Sequence, residues 1–101
     1  MTAATIPVFE HALYRSLAGK RVVITGGGSG IGAALVEAFV GQGAQVCFLD
    51  IATEPSEALV ASLKDAAVAP RFFPCNLMNL DALRATFTEI QTAMGGVDIL
   101  I

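Results

Sequence analysis

Residues 21–32 read RVVITGGGSGIG, and they carry the strongest structural signal in the chain. It begins as a short apolar strand, breaks into a cluster of glycines, and continues with helical periodicity from Ile31. Glycine allows positive φ and leaves no Cβ between the backbone and a ligand. A helix N-terminus beside such a turn offers unpaired N–H groups and a partial positive charge. The stretch therefore predicts a strand–turn–helix unit that binds an anion, most naturally a diphosphate.

The rest of the chain repeats this alternation of strand and helix. We predict strands at residues 21–25, 45–49, 71–74 and 97–101, and helices at about 30–42, 53–65 and 80–94. On the first helix the buried stripe is predicted to be Ile31, Ala34, Leu35, Ala38 and Phe39. Thr53 is the expected N-cap of the second helix, and Asn79 or Asp81 that of the third.

The predicted fold class is α/β, a doubly wound parallel sheet of the Rossmann type. The uniform apolarity of the first strand suits a parallel strand that is covered on both faces. Pro70 and Pro74 bound the third strand and favour a sheet edge. We expect only the first β-α-β-α-β-α-β half, with strand order 3-2-1-4, at residues 19–101, preceded by an N-terminal leader at 1–18.

Composition excludes several classes of partner. The net charge is −3 with no basic patch, so we expect no nucleic acid and no membrane surface as partner. The longest apolar runs are strand-sized, and the N-terminus lacks the pattern of a signal peptide.

Cys47 and Cys75 form no CxxC pair, which favours two buried, reduced thiols and a cytoplasmic location. The single histidine, His11, is expected to be a surface or packing residue, and no Cys/His cluster indicates a metal.

The glycines of the turn have separate predicted roles. We expect Gly26 to make the turn, Gly30 to let backbone approach a diphosphate, and Gly32 to let the helix pack closely on the first strand. Ser29 can add a hydroxyl group to a phosphate oxygen. No Gly-Lys-Ser/Thr closes the loop, so it is not the phosphate loop of an NTPase. The alternative is a glycine-rich turn without a ligand.

Two polar residues follow the second and third strands. Asp50 stands twenty residues after Gly30, where a carboxylate can accept hydrogen bonds from both hydroxyls of an adenosine ribose. It would repel a 2′-phosphate, and no Arg or Lys follows it closely, which favours NAD over NADP. Asn76 lies where the adenine ring would sit, and its side chain can accept a hydrogen bond from the exocyclic amine. The alternatives are that Asp50 only caps a loop and that Asn76 is a loop or capping asparagine.

Together these residues resemble the N-terminal part of a short-chain dehydrogenase/reductase. The resemblance covers the chain from about Leu17 onward and rests on TGGGSGIG at 25–32, Asp50, CNL at 75–77 and GGVDILI at 95–101. It implies an NAD(P) cofactor and hydride transfer to or from an alcohol or carbonyl carbon. The implied diphosphate residues are Gly26, Ser29, Gly30, Ile31 and Gly32; Asp50 and Ile51 would hold the ribose, Asn76 and Leu77 would flank the adenine, and Asp98 would shape the ends of the first and fourth strands.

The family pattern also sets what cannot be assigned. The family usually has Asp where Asn76 stands, so adenine binding is expected to be retained but altered. Its catalytic Ser and Tyr-x-x-x-Lys would lie beyond Ile101, so no catalytic residue is named. We expect a chain that is inactive alone and belongs to a homo-oligomeric enzyme acting on a small alcohol or carbonyl. The alternatives are a self-contained, non-catalytic nucleotide-binding module and a fragment of an S-adenosylmethionine-dependent methyltransferase; the glycine spacing argues against the latter.

Overall fold

The computed structural model describes residues 17–101. The predicted leader and His11 therefore lie outside the described residues, apart from positions 17 and 18. Strands and helices alternate along the described chain. They are β1 (Arg21–Thr25), α1 (Gly30–Gly41), β2 (Gln45–Asp50), α2 (Thr53–Ser62), β3 (Arg71–Pro74), α3 (Leu80–Met94) and β4 (Ile99–Leu100).

The four strands form one sheet in the order β3-β2-β1-β4, and every neighbouring pair is parallel. The predicted fold class and strand order are confirmed. Val23 of β1 pairs with Cys47 of β2, and Leu49 of β2 pairs with Phe73 of β3. The proline-bounded β3 lies at one edge, where a residue that cannot donate to the ladder costs least.

The sheet separates two hydrophobic clusters. Alternate residues of a strand point to opposite faces, so Val22 and Ile24 lie on one side of β1 and Val23 on the other. The first cluster is covered by α1 and α2, and the second by α3. The first contains Val22, Ile24, Val36, Phe39, Val40, Ala44, Val46, Phe48 and Leu59; the second contains Val23, Cys47, Leu49, Cys75 and Ile90.

The buried face of α1 differs from the predicted stripe. Its buried residues are Ala34, Val36, Phe39 and Val40, whereas Ile31 is 72% exposed. Ile31 lies in the first turn of the helix, at the carboxyl ends of the strands, where none of the four described strands covers it. Helical periodicity alone does not reveal how far a helix extends past its sheet.

Two helix boundaries and one strand also differ from expectation. Ala52, not Thr53, holds the N-cap position of α2, and the helix ends at Ser62. Beyond Ser62 the N–H groups of residues 63, 64 and 66 bond to carbonyls three residues earlier, which tightens the chain out of the α-helical pattern. The fourth strand is reduced to Ile99–Leu100. Of the two predicted caps of α3, Asn79 is the one used: its Oδ1 accepts the Ala82 N–H at 3.0 Å.

Candidate functional site

The residues singled out in the sequence meet at one edge of the sheet. Parallel strands place their carboxyl ends together, so the glycine turn after β1, Asp50 at the end of β2 and the loop after β3 become neighbours. Backbone hydrogen bonds join them. The Gly26 N–H donates to the Leu49 carbonyl at 2.7 Å, and the Cys75 N–H donates to the Asp50 carbonyl at 3.1 Å.

One side of the glycine turn is open. Gly26 has φ 71° and Gly30 has φ 58°, a region that residues with a Cβ rarely adopt. A Cβ placed on either glycine would meet no atom of residues 17–101 within 4 Å. The first turn of α1 carries no acidic residue, so its unpaired N–H groups keep their partial positive charge. This side of the turn offers backbone donors to an anion without a side chain in front of them.

The other side of the turn is crowded. A Cβ on Gly27 would lie 2.6 Å from the Cβ of Phe48, and a Cβ on Gly32 would collide with the carbonyl oxygen of Gly26. The sequence predicts that Gly32 permits close packing of the helix on β1, but the atoms nearest to a Cβ at this position belong to the turn itself. Gly28 is enclosed as well, by Asp50 and Ser56. Sequence reasoning assigned no role to Gly27 or Gly28, although three consecutive glycines were the available signal.

Asp50 is tied to the glycine turn by its side chain. Its Oδ2 accepts the Gly28 N–H at 2.9 Å, and its Oδ1 accepts the Ala52 N–H at 2.8 Å. Asp50 therefore does organise the local loop, as the alternative interpretation held. Each carboxylate oxygen has a second lone pair, so this local role leaves acceptor capacity at the cleft that Asp50 lines.

A cleft of about 190 Å³ lies between the turn and the loop after β3. Asn76 borders it, but its Oδ1 already accepts the Met78 N–H at 3.0 Å. That bond is the local loop role considered as the alternative for Asn76. The side-chain NH2 group of Asn76 is a donor that the Met78 bond does not use. The cleft is lined by Gly26, Asp50, Ile51, Cys75, Asn76, Leu77 and Met78.

The entrance to α1 carries two exposed side chains. Ser29 holds the N-cap position with an extended backbone, and its hydroxyl makes no capping bond. Its side chain is thus available to a ligand at the helix N-terminus. Ile31, two residues further along the chain, presents an exposed apolar surface in the first turn of the helix.

At the amino ends of the strands, opposite the cleft, an ion pair joins β1 to the segment that enters β4. Arg21 donates from Nε and Nη2 to the two carboxylate oxygens of Asp98, each at 3.0 Å, and its backbone N–H donates to Oδ2 at 2.8 Å. These hydrogen bonds hold the pKa of Asp98 well below its usual range, and the same bond raises the pKa of Arg21. The pair ties the start of β1 to the segment that enters β4 and lies away from the cleft.

Other chemistry is not indicated by the described residues. Burial raises the pKa of the Cys47 thiol, although Arg71 acts in the opposite direction, so this thiol is a poor nucleophile. Cys47 and Cys75 are both buried and free, as predicted. Among residues 17–101, no group of three or more His, Cys, Asp or Glu side chains could hold a metal ion. Within the same residues, none of the helices combines the length and the apolar character that a membrane-spanning helix requires.

A family model described as short chain dehydrogenase matches residues 20–101. The chain belongs to the short-chain dehydrogenase family. Membership confirms the resemblance seen in the sequence and favours a dehydrogenase over the methyltransferase alternative.

Several known proteins resemble the chain in sequence or in fold. D-xylose 1-dehydrogenase of Caulobacter vibrioides is 57% identical over 92 residues, which are 91% of this chain and 36% of that protein. A crystal structure of NAD+-bound xylitol dehydrogenase matches with TM-score 0.78 and 27% identity, covering 83% of this chain and 32% of that one. A crystal structure of a metagenomic short-chain oxidoreductase in complex with NADP matches with TM-score 0.77 and 32% identity, and the match covers 84% of this chain and 38% of that one. The chain thus spans little more than a third of the curated relative's length.

Proposed function

We propose that this chain is the N-terminal, NAD-binding part of an oxidoreductase that transfers hydride between a nicotinamide cofactor and an alcohol or carbonyl substrate. One observation carries the proposal: the Asp50 carboxylate is bonded to Gly28 of a turn whose other side is open. The residues present fit a dinucleotide, because anion donors and a ribose acceptor adjoin at one sheet edge. When bound, the nicotinamide supplies the hydride acceptor or donor, and this chain binds and orients the adenosine half.

The diphosphate would lie against the open side of the turn. N–H groups of the first turn of α1, at Gly30, Ile31 and Gly32, would donate to its oxygens, and the Ser29 hydroxyl would add a further donor. The positive φ of Gly26 and Gly30 supports this placement, because it turns the backbone without placing a side chain in front of the anion.

The adenosine would extend from the turn toward β3. Asp50 would accept hydrogen bonds from the ribose hydroxyls, with Ile51 beside the sugar, and Asn76 and Leu77 would flank the adenine in the cleft. Because the Asn76 Oδ1 already accepts the Met78 N–H, we expect its NH2 group to face the base as a donor to a ring nitrogen. This changes the expected direction of the Asn76 bond from acceptor to donor.

The preference for NAD over NADP rests on Asp50. The similar structures hold NAD in one case and NADP in another, so the shared fold is compatible with both cofactors. A 2′-phosphate would meet the Asp50 carboxylate, and residues 51–53 following it, Ile-Ala-Thr, offer no positive charge.

Titration of the full-length protein with NADH and NADPH tests this preference. NADH should bind more tightly, and Asp50→Asn should weaken NADH binding by about tenfold or more, since hydrogen bonds to a charged group are lost. The matched control is Asp65→Asn, which removes an exposed carboxylate just after α2. Tighter binding of NADPH by the unmodified protein would refute the preference.

The substrate is proposed to be a small alcohol or carbonyl compound. D-xylose is the first compound to assay, because the relative named for it is 57% identical across the cofactor-binding region. Turnover with NAD should require residues beyond Ile101, as the family's Ser and Tyr-x-x-x-Lys pattern implies. Comparing the full-length protein with residues 1–101 tests this, and reproducible turnover by residues 1–101 alone would contradict it.

We also propose a homo-oligomeric, cytoplasmic enzyme. An apolar groove of about 530 Å³ beside α3 and β4 is bordered by Thr25, Leu83, Phe87 and Leu100, and further apolar side chains such as Leu80 are exposed. Exposed apolar surfaces of this kind are typical of sites that pack against another part of the protein or another subunit. The two free thiols agree with a reducing compartment. Size-exclusion chromatography with light scattering measures the oligomeric state of the full-length protein. A monomeric mass would refute the proposal of a homo-oligomer.

A further inference from the structure

The hydroxyl group of Ser56 is an unusual feature of the first turn of α2. The residue is fully buried, and its Oγ has no hydrogen-bond partner within the described part of the chain. Buried hydroxyl groups are nearly always paired, so an exception requires an explanation. Ser56 belongs to none of the motifs recognised in the sequence.

The position of this hydroxyl points to Asp50. A Cβ placed on Gly28 would collide with the Ser56 Oγ and would lie 2.9 Å from the Asp50 Oδ2, so both oxygens face the same small space beneath the turn. The backbone links them as well. The Ser56 N–H donates to the Ala52 carbonyl at 3.2 Å, and the Ala52 N–H donates to the Asp50 Oδ1 at 2.8 Å.

The donors and acceptors in this space are complementary. The Asp50 Oδ2 receives one N–H, from Gly28, and a carboxylate oxygen can accept a second hydrogen bond. Ser56 has one hydroxyl proton, and among residues 17–101 no acceptor forms a hydrogen bond with its Oγ. A change of side-chain rotamer is a small motion, because the Cα–Cβ bond of serine has three staggered positions.

We propose that Ser56 is a positioning residue whose hydroxyl donates to Asp50 and holds the carboxylate in the orientation that receives the adenosine ribose. This inference rests on the proposed function and deepens it, because it adds a residue to the recognition of NAD. Ser56 does not touch the cofactor; it acts through Asp50. Gly28 is part of the same arrangement, since only glycine leaves room for both oxygens.

A purely structural role predicts a different outcome. A serine in a helix can also donate to the carbonyl four residues earlier, here that of Ala52. In that case the loss of the hydroxyl would affect the stability of α2 and would be independent of the charge on Asp50.

The test compares Ser56→Ala and Ser56→Cys with Ser62→Ala in the full-length protein. Ser62 is the matched control, because it lies in the same helix, is exposed, and donates only to the Leu59 carbonyl. Cysteine fills the space of serine but is a weak donor, so it keeps the test valid should alanine impair folding. Both Ser56 variants should weaken NADH binding about three- to tenfold and raise KM for NAD equally, with kcat unchanged, whereas Ser62→Ala should change neither.

A double-mutant cycle with Asp50→Asn separates the two roles. If Ser56 acts through the carboxylate, the effect of Ser56→Ala on NADH affinity should largely disappear in the Asp50→Asn background. An equal effect in both backgrounds, or no effect in either, would overturn the inference. Failure of the unmodified protein to bind NADH or NADPH would instead refute the proposed function, so the two failures are distinguishable.

Discussion

The two sides of the turn between β1 and α1 use glycine for different physical reasons. On the open side, Gly26 and Gly30 have positive φ and free space where a Cβ would stand. On the crowded side, Gly27, Gly28 and Gly32 lie against other atoms of the protein, which leave no room for a Cβ. Conformation requires glycine in the first set, and packing requires it in the second.

This difference separates ligand binding from construction of the site. The crowded side attaches the turn to Phe48 in the core and to Asp50, and it thereby fixes where the open side stands. The atoms that an added Cβ would meet also differ in kind. They belong to the backbone at Gly32 and to side chains at Gly27 and Gly28. Substitutions at these positions should therefore differ in size and in what they disturb.

The largest effect is expected for Gly32→Ala. Its Cβ would collide with the Gly26 carbonyl, so the backbone of the turn must move, and stability should fall by about 3 kcal/mol, the upper part of the usual range for overpacking. Urea unfolding of the full-length protein measures it. Gly41→Ala in the same helix is the control, since a Cβ there meets nothing within 4 Å. A cost at Gly32 no larger than at Gly41 would break the distinction between the two sides.

Gly28→Ala should have a smaller effect on stability and a clear effect on binding. The atoms in its way belong to the side chains of Asp50 and Ser56, which can rotate, so the cost should be about 1–2 kcal/mol. The displaced carboxylate should weaken NADH binding in parallel. Calorimetric titration with NADH together with urea unfolding checks both quantities. Unchanged NADH affinity in a folded Gly28→Ala protein would show that Asp50 does not depend on this space.

Gly30→Ala tests the open side. No atom of the described chain obstructs the new methyl group, so only the left-handed backbone conformation is penalised, at about 1 kcal/mol. Because the methyl group would stand where the diphosphate is proposed to lie, NADH affinity should fall more than stability does. Equal losses of stability at Gly30 and Gly32, measured by urea unfolding, would argue against an open side.

The smallest effect on stability is expected for substitution of Asp98, which lies at the amino ends of the strands. Its pKa is lower in the folded protein than in the unfolded chain, so its contribution to stability is present above the unfolded value of about 3.9 and is lost as the pH falls below it. Asp98→Asn should therefore flatten the decline in stability between about pH 5 and pH 3 and leave NADH binding at neutral pH unchanged. Urea unfolding at a series of pH values in this range measures how steeply the stability of each protein declines. A steeper decline in the variant would contradict the role of the Arg21 pair.

Much of the fold was predictable because its signals are local. Apolar strands, helical periodicity and the glycines and prolines between them predicted the order of elements, and Gly95, with φ 78°, ends α3 where expected. The errors occurred where a neighbour decides the outcome. Ile31 fits a helical stripe but has no strand beside it, and the residues before Ile99 are engaged by Arg21 rather than extended along a full strand.

The amino-acid pattern was sufficient to predict the parallel sheet, the glycine turn after β1 and the approach of Asp50 to that turn, because the carboxyl ends of parallel strands lie together. Three features are visible only in the folded chain: why Gly27 and Gly28 are glycine, how the Asn76 side chain is used, and that Ser56 lies beneath the turn. Gly28 and Asp50 are 22 residues apart in the chain, and their bond depends on the parallel pairing of β1 with β2. Local patterns carry no record of the space between distant segments, so such contacts appear only in three dimensions.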